Sequence, residues 1–193
     1  MTRYWRVVHY NPARSSPWDV GGELEIKALW QGEGRFDIPS HALTLYLAES
    51  AACAVGETFA RHATWTEEML ISGVTGLPRA LVEYEADPQA LGVVELDDSS
   101  FLASRNYRPS DIVARNRTRT QEIALEMFLD GLRALRWWSY HRPEWRAVSV
   151  WADVAEPRPW DGFVTPVDVQ ELHIDHPSLQ VAAAALPRER VTA

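Results

Sequence analysis

Five polar residues of this chain have side chains that could do chemistry, and they fall on neighbouring predicted elements. Glu57 would place a carboxylate on a helix among small residues, where a packed acid is a candidate catalytic group. Arg35 precedes a strand, and its planar guanidinium is suited to bidentate phosphate binding. Arg6, Tyr46 and Ser139 are each expected within a strand. Taken in order, these residues fit a pocket that binds and cleaves a nucleotide.

Each of the five also has an ordinary structural interpretation. Glu57 precedes Arg61 by four residues, so a surface ion pair is expected from helical spacing alone. Tyr46 and Ser139 could be strand residues whose hydroxyls find local partners, and Arg35 could be a loop arginine. Arg6 alternates with apolar neighbours, and arginine is seldom buried without an anionic partner. Both interpretations stay open on residue type and spacing.

Several other chemistries find little support in the sequence. Ser139 lacks the Gly-x-Ser-x-Gly turn of a serine hydrolase. No Gly-x-Gly-x-x-Gly follows a strand and no Walker motif occurs, so the standard dinucleotide and triphosphate folds are disfavoured. His173 and His176 have no second cluster at ligand spacing, so we expect no metal. Cys53 is the one cysteine and is expected to be a small buried residue.

Length and composition indicate one ordinary globular domain. The chain has 193 residues, 46% of them hydrophobic and 24% charged. We expect a single domain over 1–193, with a core of about 4–179 and a tail of 180–193. No signal peptide or membrane span is recognisable, which favours a cytoplasmic protein. The net charge of −8 argues against direct nucleic-acid binding.

Charge is nevertheless unevenly distributed along the chain. An acidic stretch over 83–98 is followed by a basic stretch that contains Arg105, Arg108, Arg115, Arg117 and Arg119. A solvated face is one interpretation, and a docking surface for an acidic partner or a phosphate is the other.

Hydrophobic periodicity predicts an irregular mixture of strands and helices. Strands are expected at 4–9, 43–47, 79–86, 92–96, 136–140, 147–151 and 167–174. Helices are expected at 50–62, 99–104, 110–114 and 118–135, with Thr118 and Gln121 as a capping box for the longest and an Ala-rich helix from Ser178. Residues 11–34 read as a long loop with a short ordered piece at 24–30. Without regular βαβ alternation, the pattern favours an α+β domain.

The order of the polar residues, more than any one of them, resembles the RES-domain family, which is named for its arginine, glutamate and serine. The resemblance runs from about Tyr4 to Leu179. Its motifs are Trp5-Arg6, Gly34-Arg35-Phe36, Tyr46-Leu-Ala48-Glu-Ser50, Glu57 and the segment from Gly131 to Trp137-Trp138-Ser139. The departures are Phe36, where the family usually has tryptophan, and the long tryptophan-containing segment between Arg6 and Arg35. In addition, Ala134 stands where the family often has a second glycine.

The resemblance implies a fold similar to the ADP-ribosyltransferases, with mixed or antiparallel sheets and flanking helices. It also implies a toxin of a two-gene toxin–antitoxin module that consumes NAD by hydrolysis or by phosphorolysis. NAD would be the substrate, inorganic phosphate a possible co-substrate, and a small helical DNA-binding antitoxin the partner that blocks the active site. A homo-oligomer stays open, and neither nucleic acid nor membrane is expected as a direct partner.

The same resemblance implies roles for the five residues. Glu57 would stabilise the positive charge that develops on the ribose as nicotinamide leaves. Arg6 and Arg35 would hold the pyrophosphate or a phosphate co-substrate, and Tyr46 would stack on nicotinamide. Ser139 would hydrogen-bond the amide or the ribose, or orient Glu57.

Two alternatives to NAD degradation remain. The same pocket would serve a protein mono-ADP-ribosyltransferase, which needs a protein acceptor. A non-enzymatic nucleotide-binding or interaction module is the other alternative, because the long segment between Arg6 and Arg35 could occlude the pocket.

Overall fold

The computed structural model describes residues 1–191 and contains a mixture of strands and helices. The strands are β1 (Thr2–His9), β2 (Ala42–Ala48), β3 (Thr64–Trp65), β4 (Arg79–Ala86), β5 (Val93–Glu95), β6 (Ala134–Trp138), β7 (Arg146–Asp153), β8 (Val164–Glu171) and β9 (Glu189–Arg190). The α-helices are α1 (Ala51–Phe59), α2 (Ser99–Ser104), α3 (Pro109–Ile112), α4 (Arg117–Leu129) and α5 (Pro177–Ala185). Within residues 1–191, no helix combines the length and the apolar character needed to span a bilayer.

Seven strands form one mixed sheet in the order β5-β6-β7-β2-β1-β4-β8. All neighbouring pairs are antiparallel except β5 and β6, which run parallel. A second sheet consists of the short parallel pair β3 and β9. This architecture confirms the predicted α+β class.

The middle of the large sheet is its weakest connection. β1 pairs with β4 from Thr2–Ala86 to His9–Arg79, and β2 pairs with β7 along its whole length. Between β1 and β2, by contrast, the registered pairing in residues 1–191 is limited to Trp5 opposite Ala48. The two strands therefore separate beyond Trp5 and leave a gap in the sheet.

Three apolar clusters surround this sheet. One packs α1 and α5 together, with Val55, Phe59 and Leu179 nearly inaccessible to solvent. Burial of a side chain of this size contributes about 1.5–3 kcal/mol. Because α1 has only nine residues, this packing and not intrinsic helix propensity must hold it in place. A second cluster includes Leu24, and a third packs α2, α3 and α4 against β6 and β7.

Two predicted helices end earlier than expected. The predicted end of the longest helix at residue 135 is wrong, because α4 stops at Leu129 and Gly131 takes a left-handed φ of 89°. Leu135 lies in β6. The predicted capping box is also wrong: Asn116 is the N-cap residue, and Gln121 instead donates hydrogen bonds to the carbonyls of Gly32 and Gly34. Helix α1 ends at Phe59 instead of residue 62.

The long segment 11–34 is mostly irregular, as predicted, with a single 3-10 turn at Ala28–Trp30. It is nevertheless attached to the face of the sheet. Leu24 is buried, and the Tyr84 hydroxyl of β4 donates to the Glu23 carbonyl at 2.6 Å. Arg14 forms an ion pair with Glu23. These contacts make the segment a wall of the fold.

Candidate active site

A cavity of about 260 Å³ opens at the place where β1 and β2 separate. Four of the five predicted residues line it, namely Arg6, Arg35, Tyr46 and Glu57. The fifth, Ser139, donates a hydrogen bond to Oε1 of Glu57. The structure therefore brings all five together around one gap in the sheet.

Glu57 reaches the gap from α1, which is started by Ser50. The Ser50 hydroxyl accepts from the Cys53 N–H at 3.2 Å, which satisfies one free donor at the helix N-terminus. Ser139 follows β6 directly and is 2% exposed. Its hydroxyl accepts from the His141 N–H at 3.0 Å while it donates to Glu57. The serine is thus fixed by the chain and in turn fixes the carboxylate.

Gly56 explains how α1 can approach Ser139 so closely. A Cβ at this position would lie 2.3 Å from Cζ3 of Trp145. Trp145 in turn accepts a hydrogen bond at its carbonyl from the Ser139 N–H at 2.9 Å. The sequence marks Gly56 as costly for a helix, by about 1 kcal/mol relative to alanine. Here that cost permits the contact that aligns Glu57 with Ser139.

The loop that carries Arg35 is held from both sides. Oδ2 of Asp37 accepts from the N–H groups of Gly32 and Gly34, each at 2.7 Å. A Cβ on Gly34 would lie 2.6 Å from the Tyr46 hydroxyl and 2.5 Å from Oδ1 of Asp37. Only glycine fits this position without displacing Tyr46 or Asp37.

Arg35 uses part of its guanidinium for the fold. Its Nη1 donates to the carbonyls of Ile112 at 3.0 Å and Ala114 at 2.6 Å, at the end of α3. Burial lowers the pKa of Arg35 to about 10; Arg117 adds to this shift and Glu57 opposes it. The group remains a cation at neutral pH, anchored on one side and facing the cavity on the other.

Tyr46 is held by its hydroxyl. The group donates to Oδ1 of Asp37 at 2.8 Å and accepts from the Phe36 N–H at 2.8 Å. Burial, followed by the charge of Asp37, raises the pKa of Tyr46 well above its ordinary value, so the phenol stays neutral. Trp137 meets the Tyr46 ring edge-on at 6.1 Å. Together the two rings form an aromatic wall of the cavity.

Arg6 lies on β1 at the open side of the gap. Burial lowers the pKa of its guanidinium, against the opposing influence of the Tyr84 hydroxyl and of Glu25. Its Nη1 is buried and has no hydrogen-bond partner within residues 1–191. The side chain is therefore placed at the cavity with hydrogen-bonding capacity to spare.

Comparison with known proteins identifies the family of the chain. The sequence model of the RES domain matches residues 3–183. The chain belongs to the RES-domain family. No curated protein is similar enough in sequence to serve as a relative of this RES domain.

The fold is similar to that of a solved structure. It is the crystal structure of the M. tuberculosis MbcT–MbcA toxin–antitoxin complex, with a TM-score of 0.58 and 13% sequence identity. The match covers 96% of this chain and 89% of that one. At this level of identity the likeness concerns the fold of the RES domain.

Several residues that line the cavity were not among the predicted site residues, and they include Arg117, Trp137 and Tyr140. Arg117 is the first residue of α4, and the sequence analysis placed it only in the basic stretch. Tyr140 is 47% exposed and lies beneath the Arg115 guanidinium at 4.8 Å from the ring centre. In the sequence, the position of Tyr140 directly after Ser139 was the feature that could have indicated a place at the site.

The basic stretch of the RES domain divides among several local partners. Arg105 pairs with Asp130 at 2.5 Å and Arg119 with Glu122 at 3.4 Å. Arg115 and Arg117 instead lie at the cavity mouth. The stretch is therefore not one uniform basic face.

Two other candidates have structural roles. His176 caps α5 by accepting from the Ser178 N–H at 3.2 Å, and its Nε2 lies 3.0 Å from the Gln170 side-chain oxygen. Within residues 1–191, no three histidine, cysteine or acidic residues lie together as a metal site. Cys53 is fully buried, and that burial raises the pKa of its thiol far above the ordinary range, as expected for an inert residue.

Proposed function

We propose that this RES domain cleaves the nicotinamide–ribose bond of NAD and acts as the toxin of a toxin–antitoxin module. The observation that carries the proposal is the Ser139–Glu57 hydrogen bond at the mouth of a cavity lined by Arg6 and Arg35. It combines an oriented carboxylate with two cations, which a bond cleavage beside a diphosphate requires.

The chemistry follows from the charges that change during the reaction. As the C–N bond breaks, nicotinamide leaves with the bonding electrons and the ribose becomes cationic and oxocarbenium-like. The Glu57 carboxylate stabilises that cation, and Ser139 keeps one of its oxygens in place. Oε2 of Glu57 takes no hydrogen bond from residues 1–191 and faces the substrate or the incoming acceptor. Water or inorganic phosphate then forms a bond to the ribose carbon and loses a proton, so the ribose is no longer cationic.

The remaining residues hold the substrate. Arg35 and Arg6 bind the diphosphate, or a phosphate co-substrate, because guanidinium groups form charge-assisted hydrogen bonds to phosphate oxygens. The wall formed by Tyr46 and Trp137 packs against the nicotinamide ring. Segment 11–34 contributes only its last residue, Gly34, to this cavity, so it leaves the gap open. That openness favours an enzyme over a purely structural module.

The toxin assignment rests on family membership and on the fold shared with the M. tuberculosis toxin–antitoxin complex. The partner is a small helical DNA-binding antitoxin that covers the cavity mouth. Tyr140, Arg115 and Arg117 lie at this mouth and are exposed. They are the first residues to exchange in a binding experiment.

The proposal is tested by measuring nicotinamide release from NAD by the purified protein, with and without inorganic phosphate. Release that disappears in Glu57→Gln and persists in Glu122→Gln supports the proposal, because Glu122 is an exposed carboxylate on α4. Phosphate dependence then separates phosphorolysis from hydrolysis. Release that is unchanged in Glu57→Gln would rule out the central role of this carboxylate.

Protein mono-ADP-ribosylation is the second candidate, and one observation favours it. Glu57 is solvent-exposed at the cavity mouth, so a macromolecular acceptor can approach the reacting carbon. This function predicts slow nicotinamide release from the purified enzyme alone and fast release after a host protein extract is added. Mass spectrometry of the extract would then reveal an ADP-ribosylated protein.

A further inference from the structure

A second cavity of about 320 Å³ adjoins the first, and neither Glu57 nor Ser139 lines it. The two share Arg6, Val7, Gly34 and Tyr46 as a common wall. One side of the second cavity is β1, and the opposite side is residues 22–31 of the long segment. A ligand at Glu57 that continued past Arg6 would therefore enter this second cavity.

Two arginines of the second cavity each have one side-chain nitrogen without an acceptor. Nη1 of Arg6 and Nε of Arg79 are both buried and have no hydrogen-bond partner within residues 1–191. About 90% or more of buried polar groups in proteins are hydrogen-bonded, and an unpaired buried group is costly. Two guanidinium groups that each have a buried, unpartnered nitrogen at one cavity point to an acceptor that the described chain does not supply.

The acidic residues of this cavity are already occupied. Asp37 accepts from two backbone N–H groups and from Tyr46. Glu25 pairs with Lys27 at 2.9 Å and accepts from the Gly21 N–H at 2.6 Å. They therefore leave the Arg6 and Arg79 donors unmatched.

The two cavities together form a cleft that is positively charged, although the chain has a net charge of −8. Its cations are Arg6, Lys27, Arg35, Arg79 and Arg117, and its anions are Glu25, Asp37 and Glu57. A local excess of cations within an acidic protein focuses an anionic ligand into the cleft.

The segment also supplies an aromatic surface. Trp30 is 40% exposed, carries the Lys27 ammonium at 4.5 Å over its ring, and meets His9 edge-on at 5.5 Å. Indole rings commonly stack on nucleobases. The exposed part of Trp30 lies at the cavity that contains the unpaired guanidinium groups.

We propose that this second cavity takes the adenosine-diphosphate end of a dinucleotide, with the diphosphate at Arg6 and Arg79 and the purine against Trp30. The inference rests on the proposed function and makes it more specific. The enzyme binds the adenosine end of its substrate and therefore selects a dinucleotide over a nicotinamide mononucleotide. Segment 11–34 is then a specificity wall that extends the site.

Calorimetric titration of the full chain with ADP tests this directly. Arg79→Gln and Trp30→Ala should each weaken ADP binding by about tenfold or more, because each loses a charged hydrogen bond or a stacking surface. Arg158→Gln removes the same charge at an exposed site outside both cavities, and ADP affinity should not change. Arg79→Lys retains the charge and checks that any loss in Arg79→Gln is not a folding defect.

Kinetics give a second readout. KM for NAD should rise by about tenfold in Arg79→Gln and Trp30→Ala, whereas KM for nicotinamide mononucleotide should stay unchanged. ADP affinity and KM for NAD that are unchanged in both variants would overturn the inference and leave the proposed function intact. Conversely, ADP binding that depends on Arg79 and Trp30 in a protein that releases no nicotinamide supports this subsite and removes the proposed reaction.

Titration with inorganic phosphate distinguishes a site for the diphosphate of a nucleotide from a site for free phosphate. If phosphate binding depends on Arg79 while ADP binding is insensitive to Trp30→Ala, the cavity holds free phosphate and the adenosine assignment is wrong. If phosphate competes weakly and ADP binding needs both residues, the nucleotide assignment stands.

Discussion

The two walls of the cleft satisfy their polar groups in opposite ways. On the Gly34–Tyr46 side, the Asp37 carboxylate and the Tyr46 hydroxyl are matched within the chain. On the Arg6–Arg79 side, each guanidinium has a buried nitrogen without a hydrogen-bond partner in residues 1–191. The first wall is therefore complete without a ligand, whereas the second is completed by one. Substitutions on the first side should consequently lower stability more than substitutions on the second.

The largest effect is expected for catalysis at Glu57. Glu57→Gln removes the charge that would stabilise the ribose cation while keeping the size of the side chain. We expect kcat to fall by about 10²–10³-fold, the range found when one preorganised electrostatic group is lost. Steady-state nicotinamide release checks this, with circular dichroism to show an unchanged fold. A fall of less than tenfold would place the electrostatic role elsewhere.

Gly56→Ala should disturb the position of Glu57 through packing. The added Cβ would lie 2.3–2.4 Å from ring atoms of Trp145, so α1 must shift away from Ser139. We expect a loss of about 1–3 kcal/mol in the free energy of unfolding, which is the usual cost of overpacking, together with reduced kcat. Urea denaturation measures the first quantity. Gly73→Ala is the matched control, because a Cβ there meets nothing within 4 Å.

Tyr46→Phe breaks the hydrogen-bond network of the completed wall. The Phe36 N–H and Asp37 each lose a partner, which should cost about 1–3 kcal/mol at pH 7. The raised pKa of Tyr46 has a further consequence. Its phenol ionises more readily in the unfolded chain, so its contribution is fully present below about pH 10 and is lost as pH rises beyond that.

The difference in stability between wild type and Tyr46→Phe should therefore shrink above about pH 10. Urea unfolding at pH 7, 9 and 10.5 measures this difference. A difference that grows with pH would contradict the assigned sign.

The smallest change is expected on the incomplete side. Arg79→Met removes a buried guanidinium whose Nε has no partner, and retains an apolar stem near Phe59. The free energy of unfolding without ligand should change by no more than about 1 kcal/mol, or increase, because no satisfied hydrogen bond is lost. A loss above about 2 kcal/mol would show that the two walls do not differ in the proposed way.

The sequence predicted the site better than the connections between elements. Ser50 and the small residues after it correctly marked the start of the helix that carries Glu57. Strand alternation correctly placed Tyr46 on the face opposite the neighbouring leucines. The order of the motifs predicted which residues would meet, because in this family the order reflects the fold. The chemical roles of these residues stay predictions.

What the sequence missed depends on tertiary context. Leu132 and Leu135 continue a helical spacing past Leu129, and only the backbone at Gly131 shows the break. The parallel pair β3 and β9 joins two-residue strands that are too short for a periodic signal. Arg117 reaches the cavity because α4 begins beside it, which no local pattern indicates.

The single registered pair between Trp5 and Ala48 has a mechanical consequence. The large sheet consists of two halves that can pivot at this pair. One half contains β1 with its pairing to β4, and the other contains β2 with its pairing to β7. If one half of the sheet tilted about this point, the width of the cleft would change and only the Trp5–Ala48 pairing would be lost. Such tilting predicts that β1 amides facing the gap exchange hydrogen faster than β1 amides facing β4. Equal hydrogen-exchange protection of the β1 amides on both edges would mean that the two halves of the sheet do not tilt.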